Sequence, residues 1–236
     1  EDLIEAFSRI AAMPELALVV LRSEGPVFCA GADMKERKGK DESWVKARRR
    51  TSFRAYDTIG ACGLPVIAQV QGALVGSGGE IAMSCDFIVA SDAATFRFPE
   101  PQWGTVGATQ RLQRVVGVAR AKELLFTGRV MEADEAHRIG LVTTLTTVDA
   151  LASTVDEMAD RILRAPSLAL RLTKQCVDQG SRTDLASGIA IELSAIDRIL
   201  SESDWRGGVE RFSAQIGTGA KGTKAAPAGS AQEKKA

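Results

Sequence analysis

The chain has 236 residues, which is long enough for one large domain with a substantial core. Apolar residues make up 45% and charged residues 25%, as in an ordinary globular protein. Basic and acidic residues each number 30, so no overall field would attract nucleic acid or a membrane surface. No apolar run has the length of a transmembrane helix and no secretory leader opens the sequence, so we expect a cytoplasmic protein.

The cysteines and the single histidine indicate neither a metal site nor a histidine-dependent nucleophile. The four cysteines lack metal-type pairing, and three lie in apolar surroundings, so we expect reduced, buried thiols rather than disulfides. His137 lies in a predicted helix whose exposed face should leave it solvated, with no neighbouring nucleophile motif. The cysteines are Cys29, Cys62, Cys85 and Cys176.

The first third of the chain predicts a helix, two strands and a second helix. Residues 1–13 carry apolar positions at helical spacing, and residues 16–23 (LALVVLRS) predict a buried strand. A short second strand, residues 25–31, ends in a loop. A charge-rich stretch at 35–50 leads into a helix that ends near residue 60.

The middle of the chain alternates strands with short connections. Residues 64–70 (LPVIAQV) predict a strand, followed by a glycine-rich turn at 71–79 and a buried helix at 78–85. Residues 86–91 predict another strand. Residues 95–104 (TFRFPEPQWG) predict an edge strand that runs into a loop.

The last part of the chain is mostly helical. Helices are predicted around 108–127 and 132–139, a strand at 140–145, and helices from 149 to about 214. Strands alternating with helices, followed by helices alone, indicate an α/β core with a helical C-terminal part.

Three regions follow from this pattern. Residues 1–145 form the α/β core, residues 146–216 the helical region, and residues 217–236 a tail. The tail is rich in Gly, Ala and Lys without an apolar period, so we expect it to be disordered.

The glycine-rich turn differs from both common nucleotide-binding motifs. A phosphate loop would need Lys after Gly79, where the chain has Glu80, and a dinucleotide fingerprint would need glycine at Ile81. Glycines at a helix start leave backbone N–H groups unhindered, as do the small residues after the second strand, at 28–36. Two such turns could direct two donors at one carbonyl oxygen and stabilise an oxyanion.

Two glutamates accompany these turns. Glu80 follows the glycines, and Glu100 follows twenty positions later in the segment FPE. Two carboxyls close together form an acid/base pair, because mutual repulsion raises one pKa so that one group donates while the other accepts. The alternatives are a helix-start carboxylate for Glu80 and an exposed loop residue for Glu100.

Five segments together resemble the crotonase superfamily, and within it the enoyl-CoA hydratases. The resemblance covers roughly residues 1–216, in the family's order and near its spacing. It implies a ββα spiral core, a C-terminal helical trimerisation region and acyl-CoA thioester substrates, with no cofactor beyond the CoA of the substrate. The segments are FCAGADMKE, the glycine-rich turn through Glu80-Ile-Ala-Met-Ser-Cys-Asp, FPE, TQRL and FTGRVMEADEAHRIGLV.

The resemblance also implies roles for individual residues. The oxyanion donors correspond to the backbone N–H groups of Ala32 and Ser77, where the family often has glycine in place of the serine. The catalytic pair corresponds to Glu80, assigned to the attacking water, and Glu100, assigned to the proton at C2. The implied activity is hydration of a 2-enoyl-CoA, by a homotrimer or a dimer of trimers.

Three further residues are candidates for substrate binding. Ala30 belongs to the first turn. Lys35 resembles a family lysine near the CoA phosphates, although a solvated lysine is nearly as good an interpretation. Trp103 either lines the acyl pocket or caps the core.

The sequence departs from the family in two places that bear on activity. The family's N-terminal strand pair and CoA-contacting loop are missing from it, so part of the CoA site is expected to be absent. Residues 104–112 (GTVGATQRL) are about three residues shorter than the family loop that helps to hold the water. A double-bond isomerase that uses Glu100 alone therefore remains an alternative.

The basic stretch at 35–50 allows a different class of function. It has eight basic and three acidic residues and is interpreted first as a solvated face. A patch for CoA phosphates is a second interpretation. A non-catalytic RNA-binding or scaffold homologue is a third, but Trp44 and Phe53 alone supply aromatic rings for base stacking, so nucleic acid is not expected as a partner.

Overall fold

The structure, a computed structural model, describes residues 1–210 and 213. The chain divides into two compact units, residues 1–178 and 179–236. The tail predicted at 217–236 lies outside the described residues, and the core boundary predicted after residue 145 stays a prediction.

The strands are short and all belong to the first unit, whereas helices occur in both units. Two helices begin after a capping aspartate: α2 (Glu42–Gly60) follows Asp41, whose carboxylate accepts a hydrogen bond from the Trp44 N–H, and α9 (Leu185–Glu202) follows Asp184 in the same way. The described strands are β1 (Val19–Leu21), β2 (Val27–Cys29), β3 (Val66–Val70), β4 (Ala73–Val75), β5 (Phe87–Ser91), β6 (Thr95–Arg97), β7 (Val130–Glu132) and β8 (Thr144–Thr146). The helices are α1 (Asp2–Ala11), α2 (Glu42–Gly60), α3 (Ser77–Ala82), α4 (Thr109–Val116), α5 (Val118–Thr127), α6 (Ala133–Arg138), α7 (Leu151–Leu163), α8 (Ser167–Gly180) and α9 (Leu185–Glu202).

The strands form two four-stranded sheets with the orders β1-β3-β5-β8 and β2-β4-β6-β7. Every pair is parallel except β6 with β7. Because β2, β4 and β6 are parallel neighbours, their carboxyl ends lie at one edge of the second sheet. The residues that follow these strands, 30–34, 76–80 and 98–100, are therefore brought to the same edge.

Strand β3 separates two apolar layers. Val66 and Ala68 face the main core, whereas Ile67, between them, packs with Leu151 and Val155 of α7. This alternation follows from the two-residue period of a strand. The main core also contains the largest side chains that are almost fully buried, among them Phe96, Phe98, Leu74, Leu112 and Met131.

The structure corrects four sequence predictions. Strand β1 is half-buried, because it lies at a sheet edge. Strand β6 was predicted at an edge, but it pairs with both β4 and β7. Strands β4 and β7 were not predicted, because β4 lies in the segment interpreted as a glycine-rich turn and β7 lies between two segments interpreted as helices. The helix predicted at 108–127 is broken into α4 and α5 at Gly117, whose φ of 84° lies in the left-handed region.

The cysteines are all free thiols, as predicted. Only Cys85 is buried, and burial raises the pKa of its thiol to about 12. The other three are half-buried, so the prediction of burial is wrong for them. Within residues 1–210, no helix combines the length and apolar character needed to cross a membrane.

Candidate active site

The loop after β2 lies directly against the start of α3. A Cβ atom added to Gly78 would lie 2.7 Å from the carbonyl oxygen of Cys29. One added to Gly31 would lie 3.1 Å from the carbonyl oxygen of Val75. Only glycine allows the two backbones to approach this closely, so the glycine-rich turn and the first small-residue turn form one continuous surface.

This surface carries the two predicted oxyanion donors. Ser77 is the first residue of α3, and the first N–H groups of a helix have no partner within it. Gly76 precedes it with a φ of 54°, which bends the chain from β4 into the helix. Ala32 follows Gly31 in the adjoining loop and is half-buried. The roles of the Ala32 and Ser77 N–H groups as donors to a carbonyl oxygen stay predictions.

Glu80 is held at both carboxylate oxygens. Its side chain projects from α3, and the residue is 5% exposed. Oε1 accepts a hydrogen bond of 2.7 Å from the Ala108 N–H, and Oε2 accepts one of 3.1 Å from Nη1 of Arg111. The second Arg111 nitrogen, Nη2, donates to Asp57 at 2.9 Å. Two donors, one of them cationic, therefore fix the position of the Glu80 carboxylate.

Glu100 is equally buried but far less satisfied. It is 6% exposed, and Oε2 is buried with no hydrogen-bond partner among the described residues. Burial raises the pKa of the Glu100 carboxyl, and the negative charge of Glu80 raises it further, against a lowering by its own backbone N–H and by Arg49. The net direction is upward, which favours the protonated acid. Because Glu100 is buried, the alternative interpretation as an exposed loop residue is wrong.

The two glutamates lie on either side of one loop. A Cβ on Gly107 would lie 3.0 Å from Oε1 of Glu100, and the next residue, Ala108, donates its N–H to Glu80. Ala108 is the only non-glycine residue of the described chain with φ in the left-handed region, at 56°. This unusual conformation turns the chain immediately after the N–H that bonds to Glu80.

Arg49 holds the loop that follows Glu100. Its Nη2 donates to the Thr105 hydroxyl at 2.6 Å and to the Val106 carbonyl oxygen at 2.7 Å. The backbone of the loop is therefore tied to α2 on one side and to Glu80 on the other.

The remaining candidate residues lie further from these carboxyls or are exposed. Trp103 ends the 3₁₀ turn that follows Glu100 and is 46% exposed, so it does not cap the core. Ala30 and Lys35 are exposed, and their contacts with substrate stay predictions. His137 is exposed as predicted, although its Nδ1 lies 3.0 Å from the carbonyl oxygen of Val142.

Three site residues were not found from the sequence. Arg111 lies in the quoted segment TQRL, but nothing local showed that it would reach Glu80. Tyr56 is buried with its ring 5.6 Å from the Arg111 guanidinium carbon. Burial raises the pKa of its hydroxyl, against hydrogen bonding with the side chain of Ser77. The third residue is Arg49, which belongs to a run of three arginines. The sequence could not show which of the three contacts the loop after Glu100.

The chain is similar to proteins of a known family over most of its length. The model of the enoyl-CoA hydratase/isomerase family matches residues 1–216. A probable mitochondrial enoyl-CoA hydratase 2 of Arabidopsis thaliana is 36% identical over 216 residues, which are 90% of this chain and 72% of that protein. The crotonyl-CoA hydratase of Syntrophomonas wolfei is 34% identical over 215 residues, 89% of this chain and 83% of that protein.

Solved structures show the same fold. The enoyl-CoA hydratase of Bacillus anthracis superposes with a TM-score of 0.87 at 32% identity, covering 91% of this chain and 84% of that one. The match confirms the predicted crotonase-like α/β fold with C-terminal helices. The chain therefore belongs to the enoyl-CoA hydratase/isomerase family of the crotonase superfamily.

Proposed function

We propose that this protein is an enoyl-CoA hydratase that adds water across the double bond of a 2-enoyl-CoA, without a metal or redox cofactor. The observation that carries the proposal is the contrast between two equally buried glutamates. Glu80 is held by Arg111 and the Ala108 N–H, whereas Glu100 has an unpartnered oxygen and a raised pKa. A carboxylate held by two donors beside a carboxyl with a raised pKa suits the base and acid roles that hydration requires.

The proposed reaction assigns one step to each group. The Glu80 carboxylate takes a proton from water as the water oxygen bonds to C3. The C2–C3 π electrons move towards the thioester, whose oxygen gains negative charge beside the N–H groups of Ala32 and Ser77. Glu100 then protonates C2. A proton returns from Glu80 to Glu100, by way of solvent, before the next turnover.

Loss of the conjugated thioester absorbance of crotonyl-CoA tests this activity. We expect turnover by the wild-type protein, and a loss of at least about 100-fold in kcat for both Glu80→Gln and Glu100→Gln. Wild-type turnover no higher than that of Glu80→Gln would refute hydration.

A double-bond isomerase that uses Glu100 alone is the second candidate. Both oxygens of Glu80 are already engaged, and the Ala108 N–H is directed at Glu80 itself. A 3-enoyl-CoA substrate separates the two functions. An isomerase would convert it to the conjugated isomer in both the wild type and Glu80→Gln, whereas a hydratase would lose its activity on crotonyl-CoA in that variant.

We also propose that helix α9 contributes to self-association, in a homotrimer or a dimer of trimers. Its large apolar side chains are exposed and recur every three or four residues, so they form one stripe. We expect Leu193→Asp to lower the mass measured by sedimentation, and Ser194→Asp, which adds the same charge off the stripe, to leave it unchanged. A monomeric wild type would refute the proposal. The stripe consists of Leu185, Ile189, Leu193, Ile196 and Leu200.

A further inference from the structure

Three arginines from two neighbouring elements lie together beside the proposed active site. Arg37 ends the 3₁₀ turn Lys35–Arg37, and Arg48 and Arg49 lie on α2. Nε of Arg48 forms an ion pair of 2.5 Å with Glu36, the residue before Arg37. This ion pair ties the turn to the helix, and the charges of Arg48 and Arg49 both act on the Arg37 guanidinium, so the three groups form one cluster.

The positive charge of the cluster is incompletely neutralised. Glu36 is the only carboxylate that the described residues place in an ion pair with it. The acceptors of Arg49, the Thr105 hydroxyl and the Val106 carbonyl oxygen, satisfy its hydrogen bonds but carry no charge. Three positive charges thus face one negative charge.

Arg37 has a buried donor without an acceptor. Its Nε is buried and has no hydrogen-bond partner among the described residues. Burial lowers the pKa of Arg37, and the charges of Arg49 and Arg48 lower it further, against Glu36. A buried, unpaired donor in a positive field is a feature that a bound anion would satisfy.

The cluster lies on the Glu100 side of the site. Arg49 bonds to Thr105 and Val106, the two residues before Gly107, which lies against Glu100. Its charge also acts on the Glu100 carboxyl, whose pKa it lowers. Since Glu100 is assigned to the acyl carbons of the substrate, an anion at the cluster would belong to the acyl chain beyond them.

We propose that Arg37, Arg48 and Arg49 bind a carboxylate at the distal end of the acyl chain, so that the preferred substrates are dicarboxylic acyl-CoA thioesters. This inference rests on the proposed acyl-CoA function. Guanidinium groups bind carboxylates and phosphates through paired N–H donors, so the phosphates of CoA are the other possible source of the anion.

Binding of unreactive saturated thioesters tests the inference without requiring turnover. Calorimetry compares glutaryl-CoA and adipyl-CoA with butyryl-CoA, on the full chain. We expect the wild type to bind at least one of the two dicarboxylic thioesters about tenfold more tightly than butyryl-CoA, a difference of about 1.4 kcal/mol. Equal binding of all three would overturn the proposal and leave the hydratase proposal standing.

Variants identify the source of any preference. Arg37→Gln should abolish the ratio between dicarboxylic and butyryl thioesters, and Arg37→Lys should retain part of it. Arg54→Gln, an exposed arginine on the same helix, is the matched control and should leave the ratio unchanged. A ratio unaffected by Arg37→Gln would refute the role of Arg37.

Pantetheine thioesters, which lack the nucleotide phosphates of CoA, separate the two anions. The preference for the dicarboxylic acyl group should persist in the pantetheine series. If Arg37→Gln instead weakens all CoA thioesters equally and leaves the pantetheine thioesters unchanged, the cluster binds the CoA phosphates and the acyl-chain assignment is wrong.

Discussion

The surroundings of Glu80 and of Glu100 differ although the two residues have the same side chain and nearly the same exposure, 5% and 6%. On the Glu80 side, helix α4 supplies a cation, and the loop before it supplies a backbone N–H. On the Glu100 side, one carboxyl oxygen has no partner in the described chain. The difference teaches that burial alone does not set the charge of a carboxyl, because the donors around it decide whether the ionised form is stabilised.

The largest effect should follow from removing the cation on the Glu80 side. Arg111→Met leaves the buried Glu80 charge without its ion pair, so we expect a loss of about 2–3 kcal/mol in unfolding free energy, reduced from the fully buried case because Arg111 is partly exposed. We also expect kcat to fall about 100-fold, because Glu80 loses its fixed position. Denaturant unfolding and crotonyl-CoA kinetics measure the two effects.

A double variant separates charge from packing at this position. Arg111→Met combined with Glu80→Gln should recover part of the lost stability, because no charge is then left unpaired, while activity stays low. If the double variant is as unstable as Arg111→Met alone, the ion pair is not what Arg111 contributes.

On the Glu100 side, Gly107→Ala should disturb the acid without touching a charge. The new Cβ would lie 2.8 Å from Cγ of Glu100, so the carboxyl must move. We expect kcat to fall about 10- to 100-fold with a smaller change in KM. Gly63→Ala is the control, because a Cβ there meets only an ordinary contact of 3.8 Å, and its kinetics should match those of the wild type.

The raised pKa of Glu100 predicts a dependence of stability on pH. The folded protein holds this proton more tightly than the unfolded chain, so the associated stability is present at low pH. It is lost as the pH rises from the ordinary glutamate value through the raised folded value. Glu100→Gln lacks this titration, so its stability relative to the wild type should increase across that window, by up to about 1.4 kcal/mol per pH unit.

Urea unfolding at a series of pH values measures this difference. A difference that stays constant with pH would show that the pKa of Glu100 is not raised.

The smallest effect should come from Tyr56→Phe. The ring that faces Arg111 is retained, and only the hydroxyl beside Ser77 is lost. We expect a cost of about 1 kcal/mol in unfolding free energy and a change of less than about tenfold in kcat. A loss as large as that of Arg111→Met would indicate that the hydroxyl acts on the reaction itself.

Some elements of the fold could be predicted from the sequence and others could not. The α/β class, the buried helix with Glu80 and the main strands could be predicted because their apolar residues recur with the periods of helices and strands. Strands β4 and β7 could not, because each is defined by its pairing with β6 and not by a pattern of its own.

By itself, the sequence determined the glycine-rich turn, the small-residue turn and Glu80 and Glu100 as candidate residues, because these depend on residue type and spacing along the chain, and its resemblance to a known family indicated the fold. Only the tertiary structure decided that Glu80 meets Arg111 while Glu100 keeps an unpartnered oxygen, and that Arg37 joins Arg48 and Arg49. The reason is physical: a charge state depends on burial and on donors that lie far apart in sequence and meet only in the folded chain.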